Sequence, residues 1–126
     1  MNLEKRLQEP LIEMVKFPRY FEIETVNACN ARCPMCTIDD WDRRDVLMED
    51  SLFEKIVHEI GEHKDEVRRV HLYRDGEPLL DKKLPQRVKA MKDAGVKEVG
   101  ISTNVALLDD EKSRALLEAG LDSIIL

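Results

Sequence analysis

The chain has 126 residues, 20 Lys+Arg against 26 Asp+Glu for a formal net charge of −6, and is 43% hydrophobic, 37% charged and only 5% aromatic. A length in the modal range for a domain, with both charge signs mixed, excludes collagen-like, mucin-like and low-complexity chains. The acidic balance without a basic run argues against a phosphate-tracking nucleic-acid binder and against anionic membrane surfaces; with no stretch of about eighteen apolar residues and no secretory h-region, the expected location is the cytoplasm.

Leu3, Leu7, Leu11, Met14 and Val15 recur at helical spacing over residues 3–16 and predict a lead-in helix divided at Pro10. Phe17-Pro18-Arg19 breaks it, and the alternation from Tyr20 to Val26 predicts a first strand. From Asn27 to about Leu47 the chain is irregular and too long for an idle connection in a compact domain. A helix then starts near Met48, with Asp50 or Ser51 as its cap, Leu52, Phe53, Ile56, Val57 and Ile60 on one face, and a stop near Gly61. Val67 to Tyr73 reads as a second strand, ended by the turn Arg74-Asp75-Gly76-Glu77-Pro78. Leu84, Val88 and Met91 mark a further helix closed by Gly95, and Val96 to Ser102 a third strand. Asp109-Asp110 caps a helix carrying Ala115, Leu116 and Leu117 up to Gly120, after which Leu121 to Leu126 opens a fourth strand. Strands alternating with helices predict an α/β fold, (βα)3β, with parallel strands joined by right-handed crossovers and covered by helices on at least one face.

The three cysteines fall within eight residues, Cys29-Asn30-Ala31-Arg32-Cys33-Pro34-Met35-Cys36, a C-x3-C-x2-C spacing directly after the first strand. An odd number packed this closely suits neither a disulfide framework nor scattered core thiols. In parallel βα folds, sites gather at the carboxyl ends of the strands. Three thiolates from one such loop can hold three corners of a cubane iron–sulfur cluster and leave the fourth iron open to a small chelating ligand. Structural zinc prefers four closed ligands, and His58, His63 and His71 are distant in sequence. Apolar filling is a poor fit to the surrounding Asn, Arg, Pro and Asp, and a redox pair of Cys33 and Cys36 leaves Cys29 without a purpose.

With these residues in place, the chain resembles the radical S-adenosylmethionine superfamily. Three motifs carry the resemblance in order, each at the end of a successive strand: Cys29-x3-Cys33-x2-Cys36, Asp75-Gly76-Glu77-Pro78 where the family has a Gly-Gly-Glu-Pro type turn, and Ser102-Thr103-Asn104-Val105 where it commonly has Thr-Asn-Gly. A Val105 at positive φ would be strained. The resemblance runs from Phe21 to Leu126 and implies a partial TIM-type barrel: a lead-in over residues 1–18 and the front half of the core domain over 19–126, with Ile124-Ile125-Leu126 as an apolar edge open to self-association. Cys-Pro-Met-Cys with Gly-Glu-Pro-Leu-Leu is closest to the branch that modifies peptides or oxidises sugars and often carries extra clusters in a C-terminal extension.

The resemblance implies that Cys29, Cys33 and Cys36 ligate a [4Fe–4S] cluster whose open iron takes the amino and carboxylate groups of S-adenosyl-L-methionine. Reductive cleavage would release methionine and a 5′-deoxyadenosyl radical that abstracts a substrate hydrogen, with an electron donor such as flavodoxin or ferredoxin and a small-molecule or peptide substrate. Gly76 would permit backbone approach, Glu77 and Pro78 would present carbonyl or carboxylate acceptors to the methionyl ammonium, Met35 would lie against adenine, and Ser102, Thr103 and Asn104 would add hydrogen bonds. Taken singly, Gly76-Glu77-Pro78 is a surface turn, Ser102-Thr103-Asn104 a cap or ST-turn and Met35 a loop anchor. Trp41 with Asp39, Asp40, Asp42, Arg43 and Arg44 reads equally as a partner surface or a solvated loop, His71 as a structural histidine, and Asp109-Asp110-Glu111 as a helix N-terminus. The rival function is a non-catalytic iron–sulfur or zinc-binding module, or an electron-transfer module, derived from the same fold.

Overall fold

Phe21, Val70, Val99 and Ile101 are the apolar centres of short strands that lie side by side. Strands β1 (Tyr20–Glu22), β2 (Arg69–His71), β3 (Glu98–Ser102) and β4 (Ser123–Ile125) form one all-parallel sheet in the order β1-β2-β3-β4. Phe21 is registered with Val70, Val70 with Val99, and Ile101 with Ile124. The computed structural model describes residues 17–40, 42 and 46–126; the expected lead-in helix over residues 3–16, with Trp41, Arg43 and Arg44, lies outside the described residues.

Each strand is shorter than its sequence pattern predicts, and for β1 the cause is visible. Ile23 still donates its N–H to the His71 carbonyl at 2.8 Å, but Val26 then pairs with Leu47 in an isolated antiparallel bridge. The alternation through Val26 therefore reports two different partners, first the sheet and then the far end of the cysteine loop.

Helices α1 (Asp50–Glu62), α2 (Leu84–Asp93) and α3 (Asp110–Glu118) supply the crossovers, with α2 between the other two and against β3. A consecutive strand order with right-handed crossovers places all three on one face of the sheet. Phe53 and Ile60 from α1, Leu84, Val88 and Met91 from α2, and Leu116 from α3 join Val70, Leu72, Val99 and Ile101 in one core. Two of the expected face residues are corrected: Leu52 is exposed and Leu117 is 71% exposed. Each adjoins a buried residue in sequence, and one helical step of about 100° carries it off the core-facing stripe.

The helix ends also divide. Gly95 and Gly120 follow α2 and α3 with φ of 94° and 90°, a region glycine enters without a Cβ clash. Asp50 and Ser51 do not cap α1. Glu49 takes that place without a side-chain bond, because the Asp50 carboxylate is engaged by Lys83 and Arg87 across to α2. Asp109 does cap α3, accepting the Lys112 N–H at 2.8 Å and pairing with the Lys112 ammonium. Hydrogen bonds from the lysine side chain, first Lys83 and then Lys112, hold the Asp50 and Asp109 carboxyls below their ordinary 3.8.

A carboxylate depressed in the folded state stabilises above its ordinary value and loses that contribution as pH falls through its folded value. Asp109→Ala is therefore expected to lower the melting temperature by a few degrees near pH 7, and by less near pH 3. Thermal unfolding of both proteins at the two pH values checks it; an equal loss at both would assign the effect to helix propensity alone. No described helix is long and apolar enough to cross a membrane. Ile124, Ile125 and Leu126 are exposed.

Candidate functional site

The cysteine segment hangs from a short stem at the carboxyl end of β1. Asn27 donates its N–H to the Val46 carbonyl at 2.7 Å, and Met48 donates to Thr25 at 2.9 Å. Within the loop, Cys36 donates its N–H to the Cys33 carbonyl at 2.9 Å, and the Arg32 guanidinium donates to the Cys29 carbonyl at 2.9 Å. All three cysteines are free thiols, Cys29 half-buried, Cys33 and Cys36 exposed.

The turn after β2 is packed directly on this loop. A Cβ at Gly76 would overlap the Val26 carbonyl oxygen, so only glycine lets the two backbones come this close. Glu77 donates its N–H to the Ala28 carbonyl at 2.8 Å, one residue before the first cysteine. The Glu24 carboxylate accepts the N–H groups of both Asp75 and Gly76 at 3.2 Å. The close approach expected of Gly76 is thus toward the chain's own β1 loop.

Glu77 is 3% exposed, and its carboxylate is the hub of the site. Oε1 accepts the Leu79 N–H at 3.0 Å and the Thr103 hydroxyl at 2.7 Å, while Oε2 accepts the Asn104 N–H at 2.9 Å. Both acceptor types expected at this turn are engaged within the chain: the carboxylate as above, and the Glu77 and Pro78 carbonyls by the Leu80 and Asp81 N–H groups at 3.1 and 3.0 Å. Pro78 is buried at the start of the 3-10 turn Pro78–Leu80.

The end of β3 closes the arrangement. Asn104 donates from Nδ2 to Asn30 Oδ1 at 2.9 Å and to Cys29 Sγ at 3.7 Å, so the cysteine loop, the Gly-Glu-Pro turn and the β3 end form one hydrogen-bonded unit. The structure brings Cys29, Gly76, Glu77, Thr103 and Asn104 together. Ser102 ends β3, half-buried, with no side-chain hydrogen bond among the described residues. Met35 stands 84% exposed on the loop, and His71 ends β2 with its ring 5.3 Å from that of Tyr73.

Sequence reasoning missed two members of this unit. Glu24 lies in the alternating run of the first strand, and Asn30 is one of the residues between cysteines; neither spacing carries a local signal for its partner across the sheet.

The donor set fits a soft metal cluster. The Ala31 N–H at 3.4 Å and the Asn104 amide at 3.7 Å both point hydrogens at Cys29 Sγ, contacts that would orient it as a ligand. Among the described residues, no group of three or more His, Cys, Asp or Glu side chains is gathered around one point, the three cysteines included.

A family profile described as the Radical SAM superfamily matches residues 23–126. The chain is 33% identical over 106 residues to the tungsten-containing aldehyde ferredoxin oxidoreductase cofactor-modifying protein of Pyrococcus furiosus, covering 84% of this chain and 29% of that protein. It is 36% identical over 110 residues to the GTP 3′,8-cyclase of Chlorobaculum tepidum, covering 83% of this chain and 31% of that one. Crystalline BtrN in complex with AdoMet and 2-DOIA has the same fold, with a TM-score of 0.78 at 23% identity over 87% of this chain and 45% of its own. The open conformation of BtrN gives 0.79 at 24% identity, over 90% and 51%. The chain thus spans under a third of the length of these curated relatives.

Proposed function

The chain belongs to the radical SAM superfamily, and on that premise we propose that it is the front half of a radical SAM enzyme's core, carrying the sites for a [4Fe–4S] cluster and S-adenosylmethionine. Cys29, Cys33 and Cys36 would hold the cluster as thiolates, with Asn104 and the Ala31 N–H orienting Cys29. When bound, the two cofactors supply an electron and an adenosyl group for hydrogen abstraction from a substrate. The backbone of the turn at Gly76, Glu77 and Pro78, together with Ser102, Thr103, Asn104 and Met35, would seat S-adenosylmethionine. Residues 19–126 would be the core half and residues 1–18 its lead-in.

One observation carries this reading: the Glu77 carboxylate ties the β3 end to the Gly-Glu-Pro turn while Asn104 reaches Cys29. Three motifs far apart in sequence are held in one unit, as a shared ligand requires. The names of the relatives, a GTP cyclase and a cofactor-modifying protein, favour a small-molecule substrate over a peptide. An electron donor such as flavodoxin or ferredoxin would reach the cluster through the exposed Cys33 and Cys36 side of the loop.

Anaerobic reconstitution with iron and sulfide, reduction and addition of S-adenosylmethionine tests the proposal through formation of 5′-deoxyadenosine. Cys29→Ala, Cys33→Ala and Cys36→Ala are each expected to abolish the cluster's visible absorption, because three thiolates are the full set available. A normal cluster in any one of them overturns the assignment. A cluster without cleavage assigns the chain to a non-catalytic module, and one equivalent of zinc without visible absorption rejects both cluster readings.

A further inference from the structure

Val105 follows Asn104 and has a φ of 57°, the one positive value outside glycine among the described residues. A β-branched residue is a true outlier there, because its γ-carbons crowd the backbone. The turn holds it in place from both sides. Thr103 Oγ1 accepts the Val105 N–H at 3.1 Å while donating to Glu77, Asn104 Oδ1 accepts the Ala106 N–H at 3.1 Å, and the Val105 carbonyl accepts the Leu108 N–H at 3.0 Å. The backbone conformation is therefore set by the same polar unit that ties Glu77 to Cys29.

Nothing in that unit calls for an isopropyl group. The Val105 side chain is 42% exposed and lies outside the hydrophobic core, so burial within the chain does not offset its strain. Glycine or asparagine would satisfy the same hydrogen bonds at lower cost. Strained residues of this kind persist where a side chain meets a ligand.

We propose that the Val105 isopropyl group is an apolar contact for S-adenosylmethionine, packing against a nonpolar flank of that molecule beside the cysteine loop. The inference rests on the function proposed above. Its location supports it: the preceding residue, Asn104, bonds both Asn30 and Cys29. The contact would be a binding determinant, made by an isopropyl group that the turn itself does not need.

Melting temperature and S-adenosylmethionine affinity by calorimetric titration, measured on reconstituted wild type, Val105→Gly and Val105→Ala, test it. Val105→Gly is expected to raise the melting temperature by about 2–5 °C, as the strain is relieved, and to weaken binding about 5–10-fold. Val105→Ala keeps a Cβ at positive φ, so its melting temperature should rise less while its affinity falls similarly. Affinity within about twofold of wild type in both variants overturns the contact, and a lowered melting temperature in Val105→Gly overturns the strain on which it rests. Failure of the wild-type chain to bind S-adenosylmethionine overturns the proposed function itself and this contact with it.

Discussion

Glu77→Ala is expected to destabilise the fold by about 3–5 kcal/mol and to impair cluster assembly in the same protein. The carboxylate satisfies three donors, the Leu79 and Asn104 N–H groups and the Thr103 hydroxyl, and both Leu79 and Thr103 are buried beside it. Alanine leaves those donors without an acceptor in a place that water does not readily enter, and a group of this kind costs about 1–3 kcal/mol when stranded. The loss does not stop at stability. Among the described residues, Asn104 is held to the turn only through its N–H to Oε2, and the same residue presents the amide to Cys29 Sγ.

Glu77→Gln separates the two effects. Its oxygen can keep Leu79 and Thr103, but its NH2 then faces the Asn104 N–H, so about half of the stability is expected to return while the Asn104 contact stays broken. Urea midpoints and cluster absorption of the two variants check this. A Glu77→Ala protein with wild-type stability would mean that the three donors find other acceptors, and the hub described here would not exist.

Much of the architecture is legible before any coordinates. Val70, Val99 and Ile101 mark strand centres, Gly95 and Gly120 mark helix ends, and Asp109 marks a cap, because each depends on neighbours within a few residues. The cysteine spacing and its position after β1 are local in the same sense. What stays hidden depends on partners across the sheet. Gly76 reads as a turn residue, yet its missing Cβ is needed for the Val26 carbonyl, fifty residues earlier. Glu77 reads as an outward acceptor in a turn, and only the position of Thr103 and Asn104 just past the end of the next strand turns it inward. Leu52 and Leu117 show the same limit on a smaller scale, since the apolar stripe of a helix is fixed by where the sheet lies, and in the pairs Leu52–Phe53 and Leu116–Leu117 it takes only Phe53 and Leu116.

Arg87→Met is the second large effect, expected at about 3–5 kcal/mol of lost stability. Read along the chain, Arg87 is one more charge on an amphipathic helix, but its side chain is 5% exposed and that of its partner Asp81 only 2%. Arg87 Nε lies 2.9 Å from Asp81 Oδ2, an ion pair without the alignment of a good hydrogen bond, and Nη2 donates to the Met48 carbonyl at 2.8 Å. The guanidinium carbon sits 4.6 Å from the centroid of the Phe53 ring. Methionine preserves most of the packing, so the loss isolates the charge: Asp81 would be left buried with only the Lys83 N–H on its other oxygen. If that stranded carboxylate is the cause, Arg87→Met combined with Asp81→Asn should recover a large part of the stability, and urea unfolding of the single and double variants decides it. A double variant no better than the single would place the loss in the other arm, the Nη2 contacts with the Met48 carbonyl and the Asp50 carboxylate. That arm bears on the site as well. Met48 also donates to Thr25 at the root of the cysteine loop, and Asp81 donates its N–H to Pro78 at 3.0 Å in the Gly-Glu-Pro turn, so Arg87 clamps from below the two loops that Glu77 and Asn104 join from above. Cluster assembly should therefore fall in Arg87→Met and remain low in the double variant, which restores the charge balance and leaves the Met48 carbonyl without its donor.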